Sequence, residues 1–258
     1  MKELKTKEPR ILIWDIETSP MISYNWSAYE SNALEIIEEP QILCFAYKWL
    51  GDKSVKVVGQ CDLAGYKAGR NDDKKLVALI HLLFDEADII VAHNGDSFDQ
   101  KTAQSRMMAH GMKPPSPYKQ IDTKKVAKKY GRFSRNKLDD LSKQFGFGRK
   151  MENEGWALWK KVLGGEKKAW ETMKKYNQID VELEEKLYLH LRPWIQNHPS
   201  ISVLTDRPDS CPKCGSSNMR AGGFFATKVG RKKRYQCLDC SGWCHGRVNI
   251  QQLSNLTD

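Results

Sequence analysis

Long apolar runs are missing from this chain: no segment approaches the roughly 20 apolar residues that a bilayer-spanning helix needs. The first residues, Met1 to Lys5, are charged and carry no apolar stretch of the kind a secretory signal has. Together these absences point to a soluble protein of the cytosol with no membrane partner. Cysteines number seven in 258 residues, and without an export signal they do not suggest a disulfide framework. No repeat at a solenoid or propeller period is visible. Acid is the scarcer charge, with 32 Asp and Glu against 42 Lys and Arg, a net +10. That excess favours a polyanionic partner, because each cation placed on a phosphate releases a condensed counterion. A generally basic surface is the plainer alternative.

What is present reads as a globular chain, 40% apolar and 29% charged. Buried strands are expected at Arg10 to Ile16, Gln41 to Leu50, Ser54 to Gly59 and Asp88 to Ala92, with a short one ending at Ile121. Helical spacing of apolar residues marks Asp72 to Glu86, Asp99 to Gly111, Asp122 to Tyr130, Leu138 to Phe145 and Glu166 to Leu191, where Pro193 blocks continuation. The expected fold is α/β: a mixed sheet flanked by helices, its first three strands forming an antiparallel meander. The first domain is expected over 1–197, and the proline-bearing stretch 198–210 reads as a linker. Residues 211–258, bearing glycine and cysteine, are expected to form a small zinc ribbon. From Thr205 to Asp258 there are nine Lys and Arg against four Asp and Glu.

Three segments carry acidic groups. Asp15 and Glu17 follow an apolar strand, and residues two apart on a strand face the same side. Asp99 opens a helix just after the Asp88 to Ala92 strand, in the run His93-Asn94-Gly95-Asp96-Ser97-Phe98-Asp99. Alone it reads as a helix cap, with Asn94 as a turn residue and Phe98 as core. Tyr176 and Asp180 share a helical face at a spacing of four. Carboxylates gathered at one sheet edge would repel unless cations neutralise them, and hard oxygen ligands suit Mg²⁺ or Mn²⁺.

Taken together, Trp14-Asp15-Ile16-Glu17-Thr18, His93-Asn94 with Phe98-Asp99, and Tyr176 with Asp180 resemble the three exonuclease motifs of the DnaQ-like, or DEDD, superfamily. The Tyr-x-x-x-Asp spacing is similar to its tyrosine subclass, which includes family B polymerase proofreading domains and ribonuclease D. Ile121-Asp122-Thr123 and Leu138-Asp139-Asp140-Leu141 resemble the segment between the second and third motifs. The resemblance covers roughly residues 10–195 and implies a ribonuclease H-like fold. It further implies that Asp15 bridges two Mg²⁺ or Mn²⁺ ions, that Glu17 and Asp180 complete the site on the nucleophile side, and that Asp99 serves the second cation. Tyr176 would orient the attacking water. Thr18, Asn94 and Phe98 would lie along the path of the terminal nucleotide. His93 is not at the position that defines the histidine subclass and is expected to be structural or to lie beside the substrate.

In the C-terminal module, Cys211-Pro212-Lys213-Cys214-Gly215 and Cys237-Leu238-Asp239-Cys240 give two knuckles, which together make a closed tetrahedral zinc site. Cys244-His245 lies near enough to offer another ligand for the fourth position. Between the knuckles, Arg231, Lys232, Lys233 and Arg234 form a basic hairpin near Phe224, Phe225 and Tyr235, a combination suited to a nucleic-acid backbone and its bases. A solvated hairpin with aromatics packed around the metal is the alternative. A second basic cluster, Lys124 to Lys137, lies between the second and third motifs and reads either as a guide for a strand or as solvated surface; Trp26 and Tyr29 are candidates for stacking or, equally, for core or loop packing.

The activity these features imply is 3′→5′ exonuclease hydrolysis at the ends of single-stranded DNA, in replication, proofreading or repair. Such a role would call for a polymerase or other replication protein as partner, and a bacterial or phage-infected cytosol as setting. An RNA 3′-end trimmer is the enzymatic alternative. A non-catalytic nucleic-acid-binding protein on the same fold is the third reading.

Overall fold

The structure is a computed structural model and describes residues 8–27, 29, 32–69, 72–228 and 230–252, the last two through their backbone. The charged start, Val229 at the basic hairpin tip and the final residues of the C-terminal module lie outside the described residues. In chain order the elements are β1 (Ile11–Thr18), β2 (Ile22–Tyr24), β3 (Glu35–Glu38), β4 (Ile42–Trp49), β5 (Lys56–Gly59), α1 (Lys74–Glu86), β6 (Ile89–Ala92), α2 (Asp99–Ala109), β7 (Lys119–Asp122), α3 (Thr123–Tyr130), α4 (Leu138–Gln144), α5 (Trp156–Leu163), α6 (Lys167–Leu191), α7 (Ile201–Leu204), β8 (Met219–Ala226), β9 (Gly230–Cys237), β10 (Trp243–His245) and β11 (Gln251–Gln252). The chain divides into two compact units. One comprises Arg10–Lys125 and Phe133–Leu187; the other takes Val126–Arg132 and the chain from Tyr188 on.

The larger unit is built on a five-stranded sheet of order β5-β4-β1-β6-β7. β1 is central: antiparallel to β4 on one side, parallel to β6 on the other. The expected meander is there, as β1, β4 and β5. Alternation along β1 turns Leu12, Trp14 and Ile16 toward one face, where they join Leu76, Val77, Ile80 and Phe84 of α1 and Ala103 and Met107 of α2 in the main core. The Trp14 and Phe84 rings meet edge to face with centroids 4.8 Å apart. On the opposite face, Leu43 and Cys44 of β4 pack with Leu158 and Val162 of α5 and Ala169, Trp170 and Met173 of α6. Helices therefore cover both faces, as a sheet with parallel strands requires.

Asp73, fully buried just before α1, ties the first core together. It accepts from the Ile42 amide, from Arg106 at 2.7 and 2.9 Å, and pairs with His110. Burial pushes its carboxyl up, but these partners outweigh it and hold the group below its usual value.

Three elements, β2, β3 and α5, go beyond expectation. β2 and β3 pair as an exposed hairpin in the stretch that holds Trp26 and Tyr29, both fully open to solvent rather than packed. α5 precedes the long helix. In the smaller unit, residues 198–210 do not behave as a linker: they form α7 and bury His198, Ser202, Thr205 and Ser210. His198 donates through Nδ1 to the Pro199 carbonyl, leaving Nε2 to accept from the Tyr188 hydroxyl at 2.9 Å. Burial lowers its pKa to about 4, so the ring stays neutral. In the same unit, β8, β9, β10 and β11 form a small antiparallel sheet with β9 in the middle. No helix among the described residues is long and apolar enough to cross a membrane.

Candidate functional site

β6 accompanies β1 only from Ile11 to Ile13, so the far end of β1 runs past its parallel neighbour. Asp15 and Glu17 stand on that free end, on the face covered by α6. From α6 the buried Asn177 donates to Asp15 Oδ2 at 2.6 Å, fixing that carboxylate. Three residues on, Asp180 reaches the same place. Carboxylate oxygens of Asp15, Glu17 and Asp180 lie within 4.8 Å of one another. Burial first, and then repulsion from Asp99, Asp180 and Glu17, pushes the Asp15 carboxyl above its usual range; burial and Asp180 raise Glu17 to about 8, and burial with Asp139 raises Asp180.

One cation relieves this repulsion. The ammonium of Lys150, from the loop between α4 and α5, bonds to Asp180 Oδ2 and lies 3.4 Å from the Tyr176 hydroxyl. It sits over the Tyr176 ring at 5.2 Å, and its amide donates to Asp139. The carboxylates outweigh burial and raise the Lys150 pKa, so the ammonium stays charged. Three carboxylates against one ammonium still leave an anionic pocket. Asp180 Oδ1 is buried and has no hydrogen-bond partner among the described residues. An orphaned carboxylate oxygen beside two more hard oxygen ligands fits a divalent cation of the Mg²⁺ or Mn²⁺ kind.

Asp99, the fourth expected carboxylate, is buried as the first residue of α2 but lies outside the 4.8 Å group. Burial raises it to about 7, against the backbone amides of Asp99 itself and of Ile16, which favour its charged form. The Ile16 amide lies in the part of β1 that β6 leaves unpaired. The Asp99 charge still acts on Asp15.

The other expected residues fall in several places. Tyr176 is half-buried beside Lys150, its hydroxyl held above its usual pKa by burial and then by Asp180. The Thr18 carbonyl accepts from Trp159 Nε1 at 2.9 Å. Asn94 takes a left-handed turn at φ 71, its amide on Asp122 Oδ1 and its side-chain oxygen accepting from Lys124. Phe98 is largely exposed immediately before Asp99 rather than core. Of the second basic cluster, Lys124 and Lys125 are engaged with Asn94 and Asp96.

His93 has both ring nitrogens engaged within the fold. Its Nε2 donates to the Asn136 carbonyl, so Nδ1 must accept from Thr123, which lies 2.9 Å away. Thr123 has one hydroxyl proton, so its contact with buried Glu184 needs a proton from Glu184. Burial pushes the Glu184 carboxyl well up, consistent with a protonated acid. Lys150, Asn177 and Glu184 were missed from sequence. Glu184 had a signal: it is four residues from Asp180 on the same helical face.

In the smaller unit, Cys211, Cys214, Cys237 and Cys240 form one cluster. Sγ separations are 3.7 Å for Cys211–Cys240 and 3.6 Å for Cys214–Cys237. Four sulfurs about 2.3 Å from one metal would stand about 3.8 Å apart, so the spacing is that of a tetrahedral thiolate site and is compatible with a zinc ribbon. The Lys213 amide donates to Cys211 Sγ, and Gly215 turns with φ 78. Cys244 is not in the cluster, and burial raises its thiol to about 11. His245 stacks on Phe225 instead of joining the thiols.

A five-stranded mixed sheet flanked by helices, with acidic groups on the end of its central strand, is the ribonuclease H-like arrangement. Residues 38–192 match the family model described as RNase_H superfamily, and the chain belongs to that superfamily. Asp99, Tyr176 and Asp180 lie within the matched residues; Asp15 and Glu17 precede them. Comparison with curated protein sequences gives no match. Among solved structures, the chain is similar to the family B DNA polymerase from the hyperthermophilic archaeon Pyrobaculum calidifontis, with 14% identity and a TM-score of 0.52. That likeness covers 86% of this chain but 32% of the polymerase, so the chain spans about a third of its length.

Proposed function

We propose that this chain is a metal-dependent 3′→5′ exonuclease that hydrolyses phosphodiester bonds at the 3′ end of single-stranded DNA. In this reading Asp15, Glu17, Asp99 and Asp180 hold two Mg²⁺ or Mn²⁺ ions, and Cys211, Cys214, Cys237 and Cys240 hold one structural Zn²⁺. The observation that carries it is the convergence of Asp15, Glu17 and Asp180 within 4.8 Å, with Tyr176 one helical turn from Asp180. The direction of attack rests on the resemblance of the three motifs, a resemblance shared by DNA- and RNA-trimming members, and the DNA strand is the substrate this reading commits to.

When bound, such cations neutralise the attacking and leaving oxygens of an in-line phosphodiester displacement. The chain's own residues do the rest. Asn177 holds Asp15 in one orientation. Tyr176 keeps its proton at neutral pH and can donate a hydrogen bond to an incoming water or phosphate oxygen. Lys150 keeps its charge, restrains Asp180 and offers its remaining N–H groups toward the Tyr176 hydroxyl. His93 is neutral, with burial lowering it to about 4 and both ring nitrogens engaged, so it is no general base.

The test is release of mononucleotides from a 3′-labelled single strand with Mg²⁺ or Mn²⁺, abolished by Asp15→Ala. Matched DNA and RNA strands run side by side; faster trimming of RNA would replace the DNA assignment with the RNA one. Protein that binds either strand but shortens neither with either metal would end the enzyme reading.

A further inference from the structure

The basic run Arg231-Lys232-Lys233-Arg234 lies on β9, and a strand sends alternate side chains to opposite faces. Arg231 and Lys233 therefore share a face with Tyr235 and Cys237. Cross-strand register adds Phe224, opposite Lys233, and Cys244, opposite Tyr235. That face carries the metal-cluster cysteine Cys237. Tyr235, Cys244 and Met219 there line a cleft of about 570 Å³ with Val203 of α7 and Pro212.

Lys232 and Arg234 point the other way, and their neighbours differ. Phe225 pairs with Lys232, His245 with Arg234, and both Arg220 and Trp243 with Gln236. Phe225 and His245 come from opposite edges of β9 and stack nearly parallel, centroids 4.5 Å apart and 17° between planes. The Arg234 guanidinium lies 4.8 Å from the Trp243 ring centroid and donates to the Gly222 carbonyl. Trp243 lies so close to Gly222 that a Cβ there would meet its ring at 2.5 Å. Phe225 and Trp243 nevertheless remain 45% exposed each. No acidic residue occurs in β8, β9 or β10.

We infer that this face of the ribbon is a binding platform for an unpaired nucleic-acid strand. Bases stack on Trp243 and on the Phe225–His245 pair, while Arg220, Lys232 and Arg234 receive the phosphates. Charge complementarity selects a polyanion. Flat exposed rings select one with free π-faces, which a duplex buries in its own stack. The platform takes no part in the carboxylate site and stands whether or not the chain cleaves. It also sorts the ribbon's basic and aromatic residues: Lys232, Arg234 and Phe225 belong to it, while Arg231, Lys233, Phe224 and Tyr235 face away.

The experiment measures fluorescence anisotropy of a short fluorescein-labelled oligothymidylate with the full zinc-loaded chain. An Asp15→Asn background prevents shortening, so the result is independent of whether the enzyme reading holds. Trp243→Ala with Phe225→Ala should raise Kd about 10-fold or more at unchanged zinc content. Trp243→Phe with Phe225→Tyr should restore most of the affinity, which a merely unfolded ribbon would not allow. An abasic strand of equal length should bind the unaltered ribbon about as weakly as oligothymidylate binds the double alanine variant. Arg231→Ala with Lys233→Ala should leave that difference between the two strands intact. Equal affinity for the abasic strand, tighter binding of a duplex, or an unchanged Kd in a zinc-loaded double alanine variant would each overturn the assignment.

Discussion

In the smaller unit, four thiols meet with sulfur pairs 3.6 and 3.7 Å apart, two from the segment before β8 and two from the end of β9 and the turn after it. On the large sheet, three carboxylates lie within 4.8 Å of one another, an ammonium bonds to Asp180, and one buried oxygen has no donor among the described residues. The first arrangement is closed: every ligand position of a tetrahedral ion is already supplied by the chain. The second is open, its charge only partly balanced from within. Structural metal sites have the first form and catalytic ones the second. The difference teaches that softness of ligand and completeness of the ligand shell distinguish the two anionic clusters of this chain.

The contrast can be broken most sharply at the closed cluster. Cys237→Ser should remove metal-coupled folding energy on the order of 10 kcal/mol, seen as lost zinc in elemental analysis and rapid proteolysis of the ribbon. A ribbon that stays protease-resistant without zinc would erase the distinction. At the open site, Asp15→Asn should leave the fold intact yet lower turnover about 1000-fold, or about 4 kcal/mol of transition-state stabilisation. Circular dichroism and steady-state kinetics separate the two. Lys150→Met should act more gently, lowering kcat about 10- to 100-fold, or about 1.4–2.8 kcal/mol, with a smaller effect on KM. A normal kcat would leave Lys150 as a counter-charge and nothing more.

The smallest expected effect is on stability against pH without added divalent cation. Folded Glu17 titrates at about 8 and Asp99 at about 7, both above their ordinary values. A raised carboxyl contributes stability that is full below its unfolded value and is lost as pH rises through the folded one. Melting temperature should therefore fall by a few degrees as pH rises from about 6 through about 8, with zinc retained throughout. Glu17→Gln should flatten that slope, and saturating Mg²⁺ should do the same. A slope indifferent to both would place the titrating groups elsewhere.

How legible these features were follows from what holds each in place. β1, β4, α1 and β6 could be read because each buries a strong apolar pattern in one core. Asp15, Glu17, Tyr176 and Asp180 were legible through short-range spacing on a strand or helix. Lys150 was not: it comes from an irregular stretch between α4 and α5, and only tertiary approach brings it to Asp180. β2 and β3 escaped notice because their residues are exposed and show no buried alternation. α7 is a single helical turn, too short to imprint a period, so its stretch resembled a linker. The split of the basic run between two ribbon faces needed the strand register, which Gly222 and Gly223 shift by a bulge in β8.

β1 has one more consequence. It is the middle strand of five, bonded to β4 along its length and to β6 over its first half. In hydrogen exchange, such a strand opens only with the whole domain, while edge strands such as β5 fray freely. Two of the carboxylates thus stand on the same strand as this slowest-opening segment, just past its doubly bonded part. Heat inactivation should accordingly coincide with global melting rather than precede it, and the amides of Ile11 to Ile13 should be among the slowest to exchange.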